Sequence, residues 1–322
     1  MQATFSVKVA AKNLEASDIC SFELTARDGQ VLPTFEAGAH IDVFLPSQPA
    51  RQYSLCNDPT ETHRYVIGVL RAEDSRGVSR ALHDDIEAGM LLDISSPKNH
   101  FGLVPAAGRT LLLAGGIGVT PILSMAEALC RQGANFELHY ACRTRARAAF
   151  LDRIAAAPYA GRTHFWFDDE HGKPLDLPEL LTHPSADDHV YICGPTGLLE
   201  AARKAAHEAG WNPDHVHYEY FSGGVLQTES DTEFELEVAE TGQVVTVAKS
   251  QSALDALLEC GIDIPCSCEE GVCGMCLTAV RSGTPDHRDK FLTDAERARN
   301  DSFMPCCSRA KSGRLVISLE DR

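Results

Sequence analysis

Three cysteines in the last quarter of the chain are spaced for metal chemistry. Cys268, Cys273 and Cys276 follow a Cys-x4-Cys-x2-Cys pattern, and the adjacent pair Cys306-Cys307 comes much later in the sequence. This spacing is typical of the plant-type [2Fe–2S] site, in which three thiolates come from one loop and the fourth from a distant segment. The pattern therefore predicts a centre that transfers single electrons.

Two glycines inside this loop, Gly271 and Gly274, would allow the backbone to curl closely around an inorganic core. Cys266 precedes Cys268, but the four-residue gap before Cys273 selects Cys268 as the first ligand. A structural zinc site made of four thiolates is the alternative. In that case the chain would be a nucleotide-binding module whose fold is stabilised by a zinc ion.

Two further segments could bind an anion at the end of a strand. The apolar strand 111–114 leads into Gly116-x-Gly118-x-x-Pro121, where free backbone N–H groups at a helix start would face a phosphate. Proline replaces the third glycine of the dinucleotide fingerprint, so a plain tight turn is the alternative. Cys193-Gly194-Pro195 follows the strand 190–192 in the same way, and its alternative is a buried strand-end thiol. Two such turns at the carboxyl ends of parallel strands define a crevice that binds ligands.

A third segment, Arg51-Gln52-Tyr53-Ser54-Leu55, suits a flat ligand that carries a phosphate. Arg51 would donate charge-assisted hydrogen bonds to the phosphate, Tyr53 would pack against a ring system, and Ser54 would hydrogen-bond a ring heteroatom. The alternative is a surface arginine beside a half-buried tyrosine.

The elements that must position these residues fall into three regions. Residues 1–105 contain short alternating runs separated by turn residues, which predicts an antiparallel β-barrel. Residues 106–225 alternate strands with helices, which predicts a parallel-sheet α/β domain. Residues 226–322 combine a hairpin, a helix and the cysteine loop. A polar stretch from Phe221 to Thr232 is the predicted linker between the last two regions.

The predicted elements carry explicit bounds. The strands are expected at 4–10, 20–26, 40–44, 65–70, 111–114, 136–142, 164–167, 189–193, 233–238 and 244–247. The helices are expected at 79–86, from Pro121 through Arg131, and at 148–157, 196–209 and 253–259.

Composition excludes several classes of function. The chain has 322 residues, 44% of them hydrophobic, and a net charge of −17, which argues against nucleic acid or an anionic membrane surface as a partner. No apolar run approaches the roughly 20 residues that span a bilayer, and no secretory signal is visible, so a reduced, cytoplasmic protein is expected. Five isolated cysteines are expected to be buried as small hydrophobic residues: Cys20, Cys56, Cys130, Cys142 and Cys260.

Taken in order, Arg-x-Tyr-Ser-Leu, Gly-Gly-Ile-Gly-Val-Thr-Pro and Cys-Gly-Pro resemble the motifs of the ferredoxin-NADP reductase superfamily. The C-terminal cysteine loop narrows the resemblance to the phthalate dioxygenase reductase type, which includes the vanillate demethylase reductases. The resemblance covers essentially the whole chain. It implies a barrel that binds FMN, an α/β domain that binds NAD(P)H and a β-grasp-like α+β ferredoxin domain.

The resemblance also implies roles for individual residues. Ser54, Thr120 and Cys193 would be the catalytic residues, with Thr120 between flavin and nicotinamide and Cys193 beside the carbon that gives up hydride. Backbone N–H groups of Gly77-Val78-Ser79 would approach the FMN phosphate, and Phe221 would lie near the flavin ring. The residues implied in cofactor binding are Arg51, Tyr53, Ser54, Leu55, Gly77, Val78, Ser79, Gly116, Gly118, Thr120, Pro121, Arg143, Cys193, Gly194, Pro195 and Phe221.

The family places the last cluster ligand just before a hydrophobic-Ser-Arg-Ala segment, which selects Cys306 and puts Cys307 in the hydrophobic position. The implied cluster ligands are Cys268, Cys273, Cys276 and Cys306. Ser267, Glu269 and the loop amides are expected to tune the potential through hydrogen bonds to sulfur.

The nicotinamide prediction rests on Arg143-Thr144-Arg145-Ala146-Arg147, which follows the second strand of the α/β region. An acid at this position favours NADH and an arginine can take the extra phosphate of NADPH. The arginines favour NADPH and the resemblance implies NADH; NADH is the prediction and NADPH the alternative. FMN is preferred to FAD because no segment is an evident partner for an adenine.

The implied function is the reductase component of a multicomponent oxygenase. Electrons would pass from NADH through FMN and the [2Fe–2S] cluster to a separate oxygenase of the Rieske type, in the degradation of an aromatic compound. The protein is expected to be a monomer. A reductase for a P450 or another monooxygenase and a redox-sensing iron–sulfur protein are the alternatives.

Overall fold

The computed structural model describes residues 4–46, 48, 50–72, 77–104, 108–221, 228, 230–266 and 268–320. The chain divides into two compact units, Met1–Tyr220 and Phe221–Arg322. Most of the predicted linker lies outside the described residues, which omit 222–227 and 229. The limits of the three domains, 1–105, 106–225 and 226–322, therefore stay predictions.

The first unit begins with a six-stranded antiparallel sheet in the order β4-β3-β6-β1-β2-β5. Its strands are β1 (Thr4–Ala16), β2 (Ile19–Ala26), β3 (His40–Phe44), β4 (Arg51–Ser54), β5 (Arg64–Leu70) and β6 (Leu91–Ser95), with helix α1 (Val78–Asp84) between β5 and β6. Its two edges meet where Leu55, directly after β4, pairs with Ile67 of β5. The sheet thus closes into the predicted barrel, around a core that includes Phe22, Ile41 and Tyr65.

A five-stranded parallel sheet follows in the order β11-β10-β7-β8-β9. Its strands are β7 (Thr110–Gly115), β8 (Phe136–Cys142), β9 (Thr163–Phe167), β10 (His189–Cys193) and β11 (Val216–Glu219). Its helices are α2 (Val119–Arg131), α3 (Leu151–Ala156), α4 (Asp168–His171), α5 (Leu177–Leu180) and α6 (Thr196–Glu208). The central strands β7 and β10 are buried at every position, as continuous apolar runs in a sheet covered on both faces require.

The helix predicted at 148–157 is shorter than expected. Ala148 has an extended backbone and Phe150 a left-handed one with φ 61°. Because a helix cannot continue through either conformation, α3 begins only at Leu151. The last strand of the sheet, β11, ends at Glu219, two residues before Phe221.

One hydrophobic core joins the barrel to the parallel sheet within the first unit. Ile19, Cys56 and Phe101 from the barrel region pack in the same cluster as the apolar face of α2. At this junction a Cβ on Gly68 of β5 would lie 2.7 Å from the Thr120 methyl group. The barrel and the α/β region are therefore held close together by direct packing.

The second unit contains a five-stranded mixed sheet in the order β13-β12-β18-β14-β16 and a small two-stranded sheet. Its strands are β12 (Phe234–Val238), β13 (Val244–Val247), β14 (Thr278–Ser282), β15 (Pro285–Asp286), β16 (Ser302–Phe303), β17 (Arg309–Ala310) and β18 (Arg314–Ser318), and its helices are α7 (Ala253–Glu259) and α8 (Asp294–Arg299). The two central strands, β12 and β18, are parallel, and antiparallel strands flank them. Ser252 caps α7 by accepting a hydrogen bond from the Asp255 N–H. This is the α+β arrangement expected for the C-terminal region.

Three of the five isolated cysteines, Cys20, Cys56 and Cys142, are buried as expected. Cys130 is only half-buried, and the prediction for Cys260 is wrong because that residue is exposed at the C-terminal end of α7. Within the described ranges, no helix combines the length and the apolar character needed to cross a membrane.

Candidate functional site

The two glycine turns predicted to bind nucleotide lie side by side. Gly116–Gly118 forms a 3-10 turn between β7 and α2, and Cys193-Gly194-Pro195 joins β10 to α6. A Cβ on Gly118 would lie 2.3 Å from the Cys193 carbonyl oxygen, and one on Gly194 would lie 2.9 Å from the Gly115 Cα. The two backbones are therefore in direct contact at the carboxyl edge of the sheet, which only glycines permit.

The helices that leave these turns, α2 and α6, begin without side-chain caps among the described residues. Gly116 has a left-handed φ of 53°, and no atom lies within 4 Å of its Cβ position. An uncapped N-terminus beside open space suits an anionic group because N–H donors and the helix dipole both point there.

The buried Cys193 and the half-buried Glu219 are neighbours at this edge. They are opposite each other on β10 and β11. Burial raises the pKa of the Cys193 thiol well above its usual range, and the neighbouring Glu219 raises it further. Burial also raises the pKa of Glu219 to about 8, and its Oε2 has no hydrogen-bond partner among the described residues. A carboxyl pKa raised in this way favours the protonated form, as is common for acids at functional sites.

Sequence reasoning missed Glu219. The signal was available, because a single acid interrupts the aromatic run Tyr218-Glu219-Tyr220-Phe221. Phe221 itself is exposed, two residues beyond the end of β11.

Thr120 lies in the first turn of α2 and is fully buried. Its hydroxyl donates to the Ile117 carbonyl at 3.0 Å, and its methyl group contacts Gly68 at the barrel. Pro121 follows in the same turn. Proline lacks a backbone N–H, but N–H groups in the first turn of a helix make no helical hydrogen bond, so the helix loses none. Thr120 therefore lies where the barrel and the α/β region meet, with its hydroxyl already hydrogen-bonded.

The predicted flavin-binding residues lie on β4 and at the start of α1. Burial raises the pKa of Tyr53, and the nearby Arg51 opposes that rise. Ser54 is buried and pairs with His40 of β3, and Leu55 closes the barrel. The residues at the start of α1 are Gly77, which has φ 113°, and the buried Val78 and Ser79.

Two buried polar atoms near these residues, His40 Nε2 and Gln48 Oε1, have no hydrogen-bond partner among the described residues. Burial lowers the pKa of His40 to about 4, so its ring is neutral. Gln48 Oε1 lies 3.2 Å from the Cβ position of Gly77. Buried polar atoms normally have partners, so both atoms mark a place for a polar ligand; neither residue was singled out from the sequence.

The arginine segment after β8 is largely engaged with acids of this chain. Arg145 Nε donates to Glu170 at 2.9 Å, and its guanidinium lies 4.3 Å from the Phe167 ring centroid. Arg147 lies 3.7 Å from Asp18. Arg143 is exposed, and the described residues include no ion-pair partner for it.

The second unit brings four buried thiols together: Cys268, Cys273, Cys276 and Cys306. They form two hydrogen-bonded pairs, Cys268 with Cys273 and Cys276 with Cys306. The Glu270 and Met275 N–H groups lie 3.3 Å from Cys268 Sγ and 3.5 Å from Cys273 Sγ. 

Within each pair, one thiol is favoured as the thiolate. The Cys273 thiol and backbone N–H groups lower the pKa of Cys268 to about 6, and the Cys306 thiol lowers the pKa of Cys276. The same contacts raise the pKa of Cys273 and of Cys306. Since the thiolate is the metal-binding form, the donor set fits an iron–sulfur cluster.

The two cysteines not assigned as ligands differ in their surroundings. Cys266 is exposed, whereas Cys307 is buried with its Sγ 3.7 Å from the Met304 carbonyl oxygen. The Cys307 thiol also contacts Cys306. Burial alone therefore does not separate Cys306 from Cys307.

The loop glycines have the expected left-handed backbones, with φ 73° at Gly271 and 74° at Gly274. A Cβ on Gly271 would lie 2.3 Å from Cys307 Sγ, and one on Gly274 would lie 2.3 Å from the Phe291 ring. The N–H donors to sulfur come from Glu270 and Met275, which fits the expected role of the loop amides. Ser267 lies outside the described residues, and a role for Glu269 stays a prediction.

Comparison with known proteins agrees with this geometry. Residues 112–204 match the oxidoreductase NAD-binding domain, and residues 236–311 match the 2Fe-2S iron-sulfur cluster binding domain. Vanillate O-demethylase oxidoreductase of Pseudomonas putida is 50% identical over 312 residues, which cover 97% of this chain and 98% of that protein.

Two solved structures are similar over 98% of this chain. Phthalate dioxygenase reductase, described as a modular structure for electron transfer from pyridine nucleotides to [2Fe–2S], is 38% identical with a TM-score of 0.78 and is covered to 98% of its length. An intact type IV self-sufficient cytochrome P450 monooxygenase is 39% identical with a TM-score of 0.81, but the chain spans only 41% of its length.

Proposed function

The chain belongs to the family of the phthalate dioxygenase and vanillate demethylase reductases, and from this premise we propose that it is the reductase component of a multicomponent oxygenase. It is an NAD(P)H-dependent oxidoreductase with an iron–sulfur domain. The observation that carries the proposal is the presence in one chain of the paired glycine turns of the parallel sheet and the four-thiol loop of the second unit. The first suits a nucleotide that donates electrons, and the second suits a cluster that passes them on singly.

The residues of the first unit bind and orient the two nucleotides. When bound, FMN would supply a two-electron acceptor for the nicotinamide hydride, and a [2Fe–2S] cluster would supply one-electron chemistry. The N–H groups at the start of α2 hold the dinucleotide phosphates. Gly118 has no side chain, so the Cys193 backbone can lie directly against the first turn. Cys193 and Glu219 line the nicotinamide site, and the Glu219 carboxyl group holds a proton there.

The barrel residues hold FMN. Arg51 donates to the phosphate, Tyr53 packs on the ring system, and Ser54 hydrogen-bonds the ring. The unpaired His40 Nε2 and Gln48 side chain supply further polar contacts. Thr120, whose methyl group contacts Gly68, would lie between the flavin and the nicotinamide.

The acceptor that we propose is a separate oxygenase of the Rieske type acting on an aromatic compound, as the name of the vanillate O-demethylase relative suggests. A reductase for a P450 is the second candidate, favoured by the similarity to part of the self-sufficient P450. We also propose a cytoplasmic monomer.

Anaerobic stopped-flow mixing tests the proposal. NADH should bleach a bound flavin first and the cluster second, in a protein that contains iron and acid-labile sulfide. A redox sensor or a zinc module would show no NADH-dependent bleaching, and that result would overturn the proposal. Coupled assays with a purified Rieske oxygenase and with a P450 then distinguish the two acceptors.

Replacing Arg51 should weaken flavin binding. Loss of its charge-assisted hydrogen bonds removes about 1.5–3 kcal/mol, so Arg51→Ala should raise the Kd for FMN by roughly 10- to 100-fold. Equilibrium dialysis of FMN against the protein measures this. The matched control is Arg27→Ala, an exposed arginine at the end of β2, which should leave the Kd unchanged; tight FMN retention by Arg51→Ala would contradict the phosphate role.

NADH should be the preferred donor. Of the three arginines after β8, only Arg143 has no ion-pair partner among the described residues. The charge-assisted contacts that a 2′-phosphate would forgo at Arg145 and Arg147 are worth about 1.5–3 kcal/mol, so kcat/KM for NADH should exceed that for NADPH by about tenfold or more. The reason is that Glu170 and Asp18 already engage Arg145 and Arg147. Glu170→Gln would release Arg145 and should improve use of NADPH by about two- to fivefold. A wild-type preference for NADPH would show that Arg143 alone binds the phosphate.

A further inference from the structure

Three metal-binding side chains meet on one face of the parallel sheet, away from its glycine turns. Glu137 and His139 are two residues apart on β8, so both side chains point to the same face. His164 of β9 pairs directly with His139 in the strand register. Local alternation and strand pairing together therefore place one carboxylate and two imidazoles side by side.

The distances between these groups are close to those of a metal site. One ligand atom from each of Glu137, His139 and His164 lies within 4.8 Å of the other two. His139 Nε2 is 3.4 Å from Glu137 Oε2, and the two imidazole rings are stacked with centroids 4.7 Å apart. Ligands about 2.0–2.1 Å from a tetrahedral zinc ion are roughly 3.3 Å from each other. Small side-chain rotations would therefore bring all three atoms to one ion.

Burial and charge also suit a cation. The His139 side chain is only 15% exposed, whereas Glu137 is 40% exposed and His164 is exposed, so the group is open to solvent on one side. The nearby cation Arg109 lies 3.7 Å from Asp188, which offsets its charge.

We propose that Glu137, His139 and His164 bind one divalent transition-metal ion of the zinc type, with water completing the coordination. Two imidazoles and one carboxylate are the donor set that zinc prefers over magnesium or calcium. The bound ion would tie the edge strand β9 to β8. This site is independent of the proposed reductase function, because none of its three residues belongs to the nucleotide turns or the cysteine loop.

Zinc titration of the holoprotein tests the site. In equilibrium dialysis with Zn²⁺, at concentrations that leave the cluster absorbance unchanged, the wild type should bind one more ion per chain than a His139→Asn/His164→Asn double variant. Thiol sites are common to both proteins and cancel in this difference. Equal zinc binding by the two proteins at every concentration would overturn the proposal.

Single substitutions keep the test valid if the double variant folds poorly. Replacing a residue that only hydrogen-bonds to a metal ligand lowers metal affinity by about 10- to 100-fold. Glu137→Gln removes a ligand itself, so it should weaken zinc binding by at least about tenfold. His63→Asn, at an exposed histidine elsewhere in the first unit, should bind zinc like the wild type. Zinc should raise the melting temperature of the wild type and of His63→Asn more than that of Glu137→Gln. Equal affinity in Glu137→Gln and the wild type would overturn the three-ligand assignment.

Discussion

Cys306→Ser should abolish the visible absorbance and the electron paramagnetic resonance signal of the cluster, while NADH still reduces the flavin at close to the wild-type rate. A serine hydroxyl is a poor replacement for the thiolate that iron–sulfur clusters require. The cysteine loop and Cys306 belong to the unit Phe221–Arg322, whereas the glycine turns and the β4 residues belong to Met1–Tyr220. Loss of the cluster should therefore interrupt electron transfer to the acceptor without preventing the first step.

Cys307→Ser is the matched control, because Cys307 is adjacent, equally buried and in contact with Cys306. It should retain the cluster, with at most a shifted potential. Iron and labile-sulfide analysis, visible spectra and stopped-flow reduction of both variants measure the outcome. The opposite result, with the cluster retained in Cys306→Ser and lost in Cys307→Ser, would make Cys307 the ligand. Loss of flavin reduction in Cys306→Ser would show that the two units do not act separably.

Gly118→Ala should be strongly damaging to both stability and nucleotide use. The added Cβ would lie 2.3 Å from the Cys193 carbonyl oxygen and 2.5 Å from the Gly194 nitrogen, which are backbone atoms that no rotamer change can move. Overpacking a rigid site costs about 1–3 kcal/mol, so we expect a loss near the upper end of this range in the free energy of unfolding. Separation of the two turns should also reduce kcat/KM for NADH by at least about tenfold, because misplacement by 1 Å costs on the order of 100-fold.

Gly197→Ala is the control for this substitution. Gly197 lies on α6 just after the second turn, and no atom lies within 4 Å of its Cβ position. Its replacement should change the free energy of unfolding by no more than about 1 kcal/mol, in the stabilising direction. Urea unfolding and NADH kinetics of both variants provide the comparison. Wild-type stability and activity in Gly118→Ala would show that the two turns are not in contact.

The sequence alone predicted most of the elements and the kinds of site. Local patterns suffice for this: apolar runs such as 111–114 predict buried strands, and the Cys-x4-Cys-x2-Cys spacing predicts a loop that surrounds a cluster. Helix ends were less predictable, as α3 shows, since a left-handed residue such as Phe150 leaves no clear signal in the sequence. The family resemblance was confirmed over the whole chain.

Tertiary structure alone decided how distant residues affect each other. The raised pKa of Glu219 results from its burial beside Cys193. His40 lies next to Ser54 only because β3 and β4 are neighbours in the barrel, and Arg145 forms its ion pair with Glu170 of α4. His139 and His164 likewise meet only through the register of β8 and β9. A sequence specifies alternation along one strand, but strand register and burial arise from packing between segments far apart in the chain. For this protein, the sequence therefore determined which residues could do chemistry, and the fold determined which of them lie together and in what charge state.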